Sequence, residues 1–302
     1  MRILITGSNG QLGTSLIGLA PSSVCGDPIE LITTKRSQLD LSRLSICRQF
    51  IKNIKPDWVI NAAAFTAVDD AEENSRMAYL INADAPLEIA LALKETGGKL
   101  IHVSTDYVFN GNNFLPYKPY DKRLPLSIYG MSKAKGEDNI NEILSFTSQS
   151  IILRTSWLMG ATGNNFILTM LRLMREKKRL KIVSDQISSP TSTTSLAKMC
   201  WRLIEETSLD HKFPSVMHWS DAGIASWYDI ACSILDIGQD LGLVTSQPEI
   251  IPINTDQYPM IAERPIFSKL DCTNSVEQIG TYPLHWRYEL RETLYKIAEN
   301  QI

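Results

Sequence analysis

The 302-residue sequence predicts an α/β protein: a Rossmann-type doubly wound parallel sheet with a smaller, partly interleaved α/β portion after it. Three observations predict this. The chain opens on an apolar run, Arg2-Ile-Leu-Ile-Thr6, that passes at once into a glycine turn, Gly7-Ser-Asn-Gly10-Gln-Leu-Gly13. Apolar strand-like runs then alternate with amphipathic helical stretches over residues 1–160, the signature of consecutive βα units. Beyond residue 160 the rhythm breaks into helical patterns joined by turn-rich, proline-containing connections.

Taken in order, the first strand and glycine turn lead into a helix carrying Leu12, Leu16 and Leu19, which stops at Pro21. Gly7, Gly10 and Gly13 let a backbone approach a pyrophosphate closely, and unpaired amides at the helix start attract its charge. We therefore expect a dinucleotide held over Gly7, Gly10 and Gly13. A second strand, Ile29 to Thr33, ends near Lys35 and Arg36, where an NAD enzyme would usually place a carboxylate. These cations suit a 2′-phosphate and hence NADPH, with NADH also possible; they also read as solvated loop charges. Asp40 and Ser42 are candidate caps for a helix carrying Leu44, Cys47, Phe50, Ile51 and Ile54, or else Asp40 and Leu41 flank an adenine ring. The third strand, Asp57 to Asn61, runs into Ala62, Ala63, Ala64, Phe65 and Thr66, small residues that suit either a flat ligand or core packing. An acidic, then apolar, helical region reaches Lys94 and is capped by Gly97-Gly98.

The fourth strand, Lys99 to Thr105, delivers Ser104, Thr105 and Asp106 to the carboxyl edge of the sheet. Tyr129 and Lys133 follow, four apart, on one face of a predicted helix. A phenol titrates near pH ~10; a neighbouring ammonium favours its ionised form and suits it to exchange a proton with a carbonyl or alcohol oxygen. Thr105 could hydrogen-bond the same oxygen. A fifth strand, Ser150 to Thr155, ends in Ser156-Trp157. Helices are expected near 164–175, 194–206, 226–239 and 286–299, with a short strand at Leu180–Val183 and proline-containing connections at 248–265. The expected division is a dinucleotide-binding domain over 1–160 and a substrate-binding portion over 161–302.

Composition narrows the function classes. Thirty basic against 33 acidic residues give a net charge of -3, which offers no field for a nucleic-acid backbone. The five cysteines are scattered without a C-x-x-C pair, and His102, His211, His218 and His285 lack ligand-like spacing, so neither a disulfide framework nor a metal site is expected. No run is long enough to span a membrane and the first strand is too short for a signal peptide, which points to the cytoplasm.

Together these motifs resemble the extended short-chain dehydrogenase/reductases, in particular those acting on dTDP-linked keto sugars. The resemblance rests also on Pro56-Asp57, Thr66-Ala-Val-Asp69, Ser104-Thr-Asp-Tyr-Val-Phe109, Tyr129-Gly-Met-Ser-Lys133, Arg154-Thr-Ser-Trp157, Gly163-Asn-Asn-Phe166, Asp185-Gln186, Pro190-Thr191 and Arg264-Pro265. It implies hydride transfer to the C4 ketone of a 6-deoxy-4-keto sugar, with Tyr129 giving the proton, Lys133 holding the nicotinamide ribose and lowering the tyrosine pKa, and Thr105 touching the reacting oxygen. It implies a sugar pocket of Val68, Thr105, Asp106, Tyr107, Trp157 and Arg264, and cofactor contacts from Gly10, Gln11, Leu12, Asp40, Leu41, Ala64, Phe65 and Thr66. In some members a glutamate two residues past the third glycine belongs to a dimer-bridging magnesium site. Ser15 stands there, so magnesium is not expected and the chain is read as monomer or homodimer. Ser188 stands where a glycine is usual. Three other readings share the scaffold. A dehydratase would need a glutamate where Tyr107 follows Asp106; an epimerase would return hydride to the other face of the sugar; a regulatory subunit would bind NADP without turnover.

Overall fold

The computed structural model describes residues 1–144 and 147–300. Six parallel strands form the central sheet: β1 (Arg2–Thr6), β2 (Glu30–Thr34), β3 (Trp58–Asn61), β4 (Lys99–Thr105), β5 (Ser150–Thr155) and, after an excursion, β7 (Val216–His218), in the spatial order β7-β5-β4-β3-β1-β2. The order reverses beside β1. Connections leave β1 toward β2 on one side and return to β3 on the other, opening a crevice at the carboxyl ends of these two strands.

The strands alternate faces, and both faces are buried. Ile3 and Ile5 of β1 join one apolar cluster with Ile60, Ile101 and Leu153. Leu4, Val59, Leu100 and Ile152 join another on the opposite face. Helices α1 (Gln11–Gly18) and α6 (Thr193–Ser208) cover the first face through Leu12, Leu16, Leu196, Cys200 and Leu203. Helices α2 (Leu44–Ile54), α3 (Ala85–Thr96) and α4 (Ile128–Leu144) cover the second through Cys47, Ile51, Ile89, Leu93, Ile140 and Leu144. Burial on both faces explains why these strands read as continuous apolar runs. Helix ends follow local chemistry: α2 stops where Lys55 turns left-handed before Pro56, and α3 stops at Gly97, φ +84.

The third apolar cluster is the core of the smaller portion. It joins α5 (Phe166–Glu176), β6 (Arg179–Val183), α7 (Trp227–Asp240) and α8 (Trp286–Glu299) through Met170, Leu171, Leu180, Ile230, Ile234, Leu290 and Leu294. Asn165 caps α5 through Leu168 N–H, and Ser226 and Asp229 form a reciprocal capping box on α7. The chain crosses between the two parts: α6 packs on the first sheet face and β7 extends that sheet, both from sequence beyond residue 160.

The helical region expected up to Lys94 resolves into Val68–Glu73, Ser75–Tyr79, a π-turn at Leu80–Asp84, and α3. Two local expectations change. Neither Asp40 nor Ser42 caps α2, whose N-cap is Arg43; the Asp40 carboxylate instead accepts from the Ser42 amide and hydroxyl in a local turn. Within 248–265 lies a strand, β8 (Glu249–Ile253), paired in parallel with β6 as a two-stranded sheet. Pro252 masks it in the sequence, because proline is confined to edge strands.

Candidate active site

At the crevice, β1 ends in a loop that requires glycine twice. Gly7 has φ +66, and a Cβ there would stand 2.9 Å from the Ala63 backbone. A Cβ on Gly13 would fall 2.2 Å from the Gly7 carbonyl oxygen. The loop can thus close onto Ala63 and α1 at once. Gly10 is the N-cap of α1, with no capping side chain and no acidic residue in the first turn, so the amides there face outward without a competing anion.

A cavity of about 530 Å³ lies over this loop. Gly7, Gly10, Gln11, Leu12, Lys35, Arg36, Asp40, Leu41, Ala62, Ala63, Ala64 and Thr66 all line it, and so do Thr105, Tyr129, Lys133 and Trp157. The structure therefore brings the glycine loop, the two cations after β2 and the Tyr/Lys pair around one space. Gly13 and Phe65 stand behind the wall. Gly13 permits the close packing just described; the Phe65 backbone N–H and C=O are both held by the Asn82 side chain, at 2.8 and 3.0 Å.

Tyr129, Lys133 and Thr105 share one polar corner of this cavity. Burial pushes the Tyr129 phenol up to about 12; a hydrogen bond with Thr105 pulls the other way, and the Asp106 charge adds to the rise. The expected lowering of this phenol by Lys133 does not appear. The Lys133 ammonium is anchored elsewhere, 2.6 Å from the Val103 carbonyl oxygen and 3.2 Å from His102 Nε2. Burial brings Lys133 down to about 8, with Glu137 acting in the opposite direction.

The residues expected in the sugar pocket divide. Thr105 and Trp157 line the cavity, whereas Val68, Asp106 and Tyr107 do not. Asp106 is fully enclosed: Thr105 Oγ1 donates to Oδ1 at 3.1 Å, and Ser268 Oγ to Oδ2 at 2.5 Å. Tyr107 packs edge-on against Tyr129, ring centroids 5.8 Å apart. Trp157, with φ +45, stacks on Trp227 at 3.8 Å, and Trp227 faces a second crevice of about 430 Å³. Arg264 lines that crevice together with Lys177, Arg179 and Lys181. Ser15, at the position associated with magnesium, donates to Thr193 Oγ1 at 2.7 Å. Ser188 is buried in a short pairing with Ala225–Ser226.

Supporting residues escaped the sequence reading. Asn82 also donates to Ser132 Oγ at 3.0 Å, tying the cofactor side of the cavity to α4. Beneath Tyr129 and Lys133, Glu137 receives two hydrogen bonds from Arg154, at 2.6 and 2.9 Å, and one from Ser104. Burial raises Glu137, but the Arg154 contacts, joined by Ser104 and by Arg123 at 3.0 Å, together outweigh it and hold the carboxyl below its usual range. Asn82 lies in the π-turn, an irregularity common at functional sites; the Glu137–Arg154 pair links two distant segments and leaves no local signal.

A parallel α/β sheet with a ligand crevice at its switch point, a glycine loop and a Tyr/Lys pair facing it defines an oxidoreductase of the extended short-chain dehydrogenase/reductase class. The comparisons with known proteins agree. The family model described as "RmlD substrate binding domain" matches residues 1–299, and the chain belongs to that family. The spore coat polysaccharide biosynthesis protein SpsK of Bacillus subtilis is 38% identical over 97% of this chain and 96% of its own. The dTDP-4-dehydrorhamnose reductase of Aggregatibacter actinomycetemcomitans is 37% identical over 96% and 97% respectively. A crystal structure of dTDP-4-dehydrorhamnose reductase from Bacillus anthracis, in complex with NADP, superposes with a TM-score of 0.87 at 32% identity, covering 98% of this chain and 99% of that one.

Proposed function

We propose that this enzyme reduces the C4 ketone of dTDP-4-dehydro-6-deoxy-L-mannose to give dTDP-L-rhamnose, using NADPH and taking the proton from Tyr129. The observation that carries the reading is one cavity lined jointly by the glycine loop, Lys35, Arg36, Thr105, Tyr129 and Lys133, in a chain whose reductase relatives match it end to end. The residues present fit the cofactor. Backbone amides at the start of α1 suit a pyrophosphate, Lys35 and Arg36 suit a 2′-phosphate, and the buried Thr155 hydroxyl in the cavity wall has no hydrogen-bond partner among the described residues.

NADPH, when bound, supplies hydride to the carbonyl carbon. The chain's own groups handle the oxygen. Tyr129, raised to about 12, is protonated at neutral pH and can give its proton to the developing alkoxide. Thr105 steadies that oxygen once its single hydroxyl proton turns to it from Asp106 Oδ1. Lys133, charged below about 8 and anchored on the Val103 carbonyl, lines the same cavity and would hold the nicotinamide ribose. Turnover should accordingly fall as pH rises through about 8.

The test is nicotinamide absorbance with purified protein, dTDP-4-keto-L-rhamnose and either NADPH or NADH. Consumption of cofactor in step with dTDP-L-rhamnose is the expected result. NADPH binding without consumption would replace this reading with another keto sugar or a regulatory role, and product without net oxidation would indicate epimerisation.

A further inference from the structure

His102 is the one fully enclosed histidine in contact with the Tyr/Lys pair, and the mechanism above does not use it. It lies on β4 facing α4, with no exposed surface. Its Nε2 stands 3.2 Å from Lys133 Nζ, and its Nδ1 3.0 Å from the Asn61 side-chain amide. The row continues from Asn61 on β3 to Thr6 on β1, whose hydroxyl is 2.6 Å from the other amide atom. Four buried polar side chains on three strands and one helix thus end at the Lys133 nitrogen. Besides His102, the charge that acts on that nitrogen is Glu137, one turn along α4 and itself paired with Arg154 and Arg123; Tyr129 lies one turn the other way along the helix. Asn61 and Thr6 carry no charge.

We propose that His102 is a positioning residue for Lys133: a permanently neutral imidazole whose Nε2 lone pair receives one N–H of the ammonium. An ammonium has three N–H bonds in fixed tetrahedral directions. Val103 O takes one and His102 takes the second, so the third is aimed by them, and Lys133 lines the cofactor cavity. A histidine facing an ammonium cannot itself be protonated; burial and the Lys133 charge both drive its pKa far down. Accepting at Nε2 forces the ring proton onto Nδ1. Nδ1–H then needs an acceptor, which the Asn61 amide provides once its carbonyl oxygen is turned to the ring and its NH₂ to Thr6 Oγ, a half-turn that exchanges two atoms of nearly equal size. The charge state of Lys133 thereby selects the orientation of Asn61.

The proposal rests on the Tyr129/Lys133 reading for its catalytic meaning, but its first test needs no turnover. In ¹⁵N-imidazole spectra of the protein alone, the resonance lost in His102→Gln should show a neutral Nδ1–H tautomer near pH 6, where Lys133 is charged. An imidazolium, or an Nε2–H tautomer at that pH, would overturn the assignment. The second test is kinetic. His102→Leu, which leaves the ammonium one acceptor short, should lower kcat about tenfold, the worth of one hydrogen bond to a charged group. It should also move the alkaline limb to lower pH by about one unit, since losing an acceptor disfavours the charged form. His102→Gln, which can present a carbonyl oxygen, should recover most of both. A folded leucine variant with the parent pH profile and turnover would refute the positioning role. A wild-type protein inactive toward every keto sugar, yet showing the Nδ1–H tautomer, would count against the proposed reaction and leave the His102 assignment standing.

Discussion

Asp69 and Arg264, 195 residues apart in sequence, meet in a two-pronged ion pair with Nη2 2.5 Å from Oδ2 and Nη1 3.2 Å from Oδ1. The same carboxylate also accepts from the backbone amides of Ile261 and Ala262, so one side chain fixes the whole turn leading to Arg264. Burial alone would raise Asp69, yet the Arg264 and amide contacts dominate and lower it. The turn that carries Arg264 into the second crevice is therefore held from the part of the chain that follows β3.

Either Asp69→Ala or Arg264→Ala should release this turn. The pair is partly exposed, so its direct worth to stability is small, about 1 kcal/mol after solvent screening. The larger effect should be a rise in KM for the sugar nucleotide. A double-mutant cycle on KM should show the second substitution adding little to the first; strictly additive effects would mean the two residues act independently.

Tyr129→Phe keeps the ring and its edge contact with Tyr107 but removes the proton. We expect turnover to fall by roughly 10²–10⁴, the range for a lost general acid, while NADPH affinity measured by fluorescence titration stays close to the parent. Near-parental turnover would remove Tyr129 from the mechanism.

Lys35→Ala and Arg36→Ala test whether the exposed cations at the cavity rim read a 2′-phosphate. The ratio of kcat/KM for NADPH over NADH should drop by roughly tenfold for whichever residue makes the contact, equivalent to about 1.4 kcal/mol. If neither substitution moves the ratio, both are solvated loop charges.

Buried Asp221 gives a pH signature of stability. Burial, with Glu289 nearby, pushes its carboxyl up to about 7 from an ordinary 3.8. Between those values the folded state binds more protons than the unfolded one, so stability falls as pH rises from about 4 to about 7. Asp221→Asn should weaken that slope and make the protein more stable at pH 8 by roughly 1–2 kcal/mol, with little difference below pH 4. Urea melts at several pH values would show it; an unchanged slope would mean Asp221 is ionised in the fold.

The parallel sheet was legible because its strands are buried on both faces and stand out as Ile/Leu/Val runs, and the glycine loop because a pyrophosphate cradle demands small residues in a fixed order. Tyr129 and Lys133 were legible because a helix turns spacing into adjacency. What the sequence hid was pairing between remote segments. Nothing near Glu137 announces Arg154, nothing near Asp69 announces the turn at 261–264, and Asp106 belongs by motif to a sugar pocket although its oxygens are engaged by Thr105 and Ser268. Side-chain networks that close across tertiary contacts have no period to detect.

Among the described residues, the pairing of β8 with β6 leaves one side of β8 unpaired. Glu249 donates its amide to the Lys178 carbonyl and Ile253 accepts from the Ser184 amide, so the odd-numbered residues face β6 and Pro252 faces the open side. That margin is missing a donor where an incoming strand would need one. A proline that hides a strand from the reader of the sequence also hides it from neighbouring chains, protecting a concentrated solution of this enzyme against edge-to-edge aggregation.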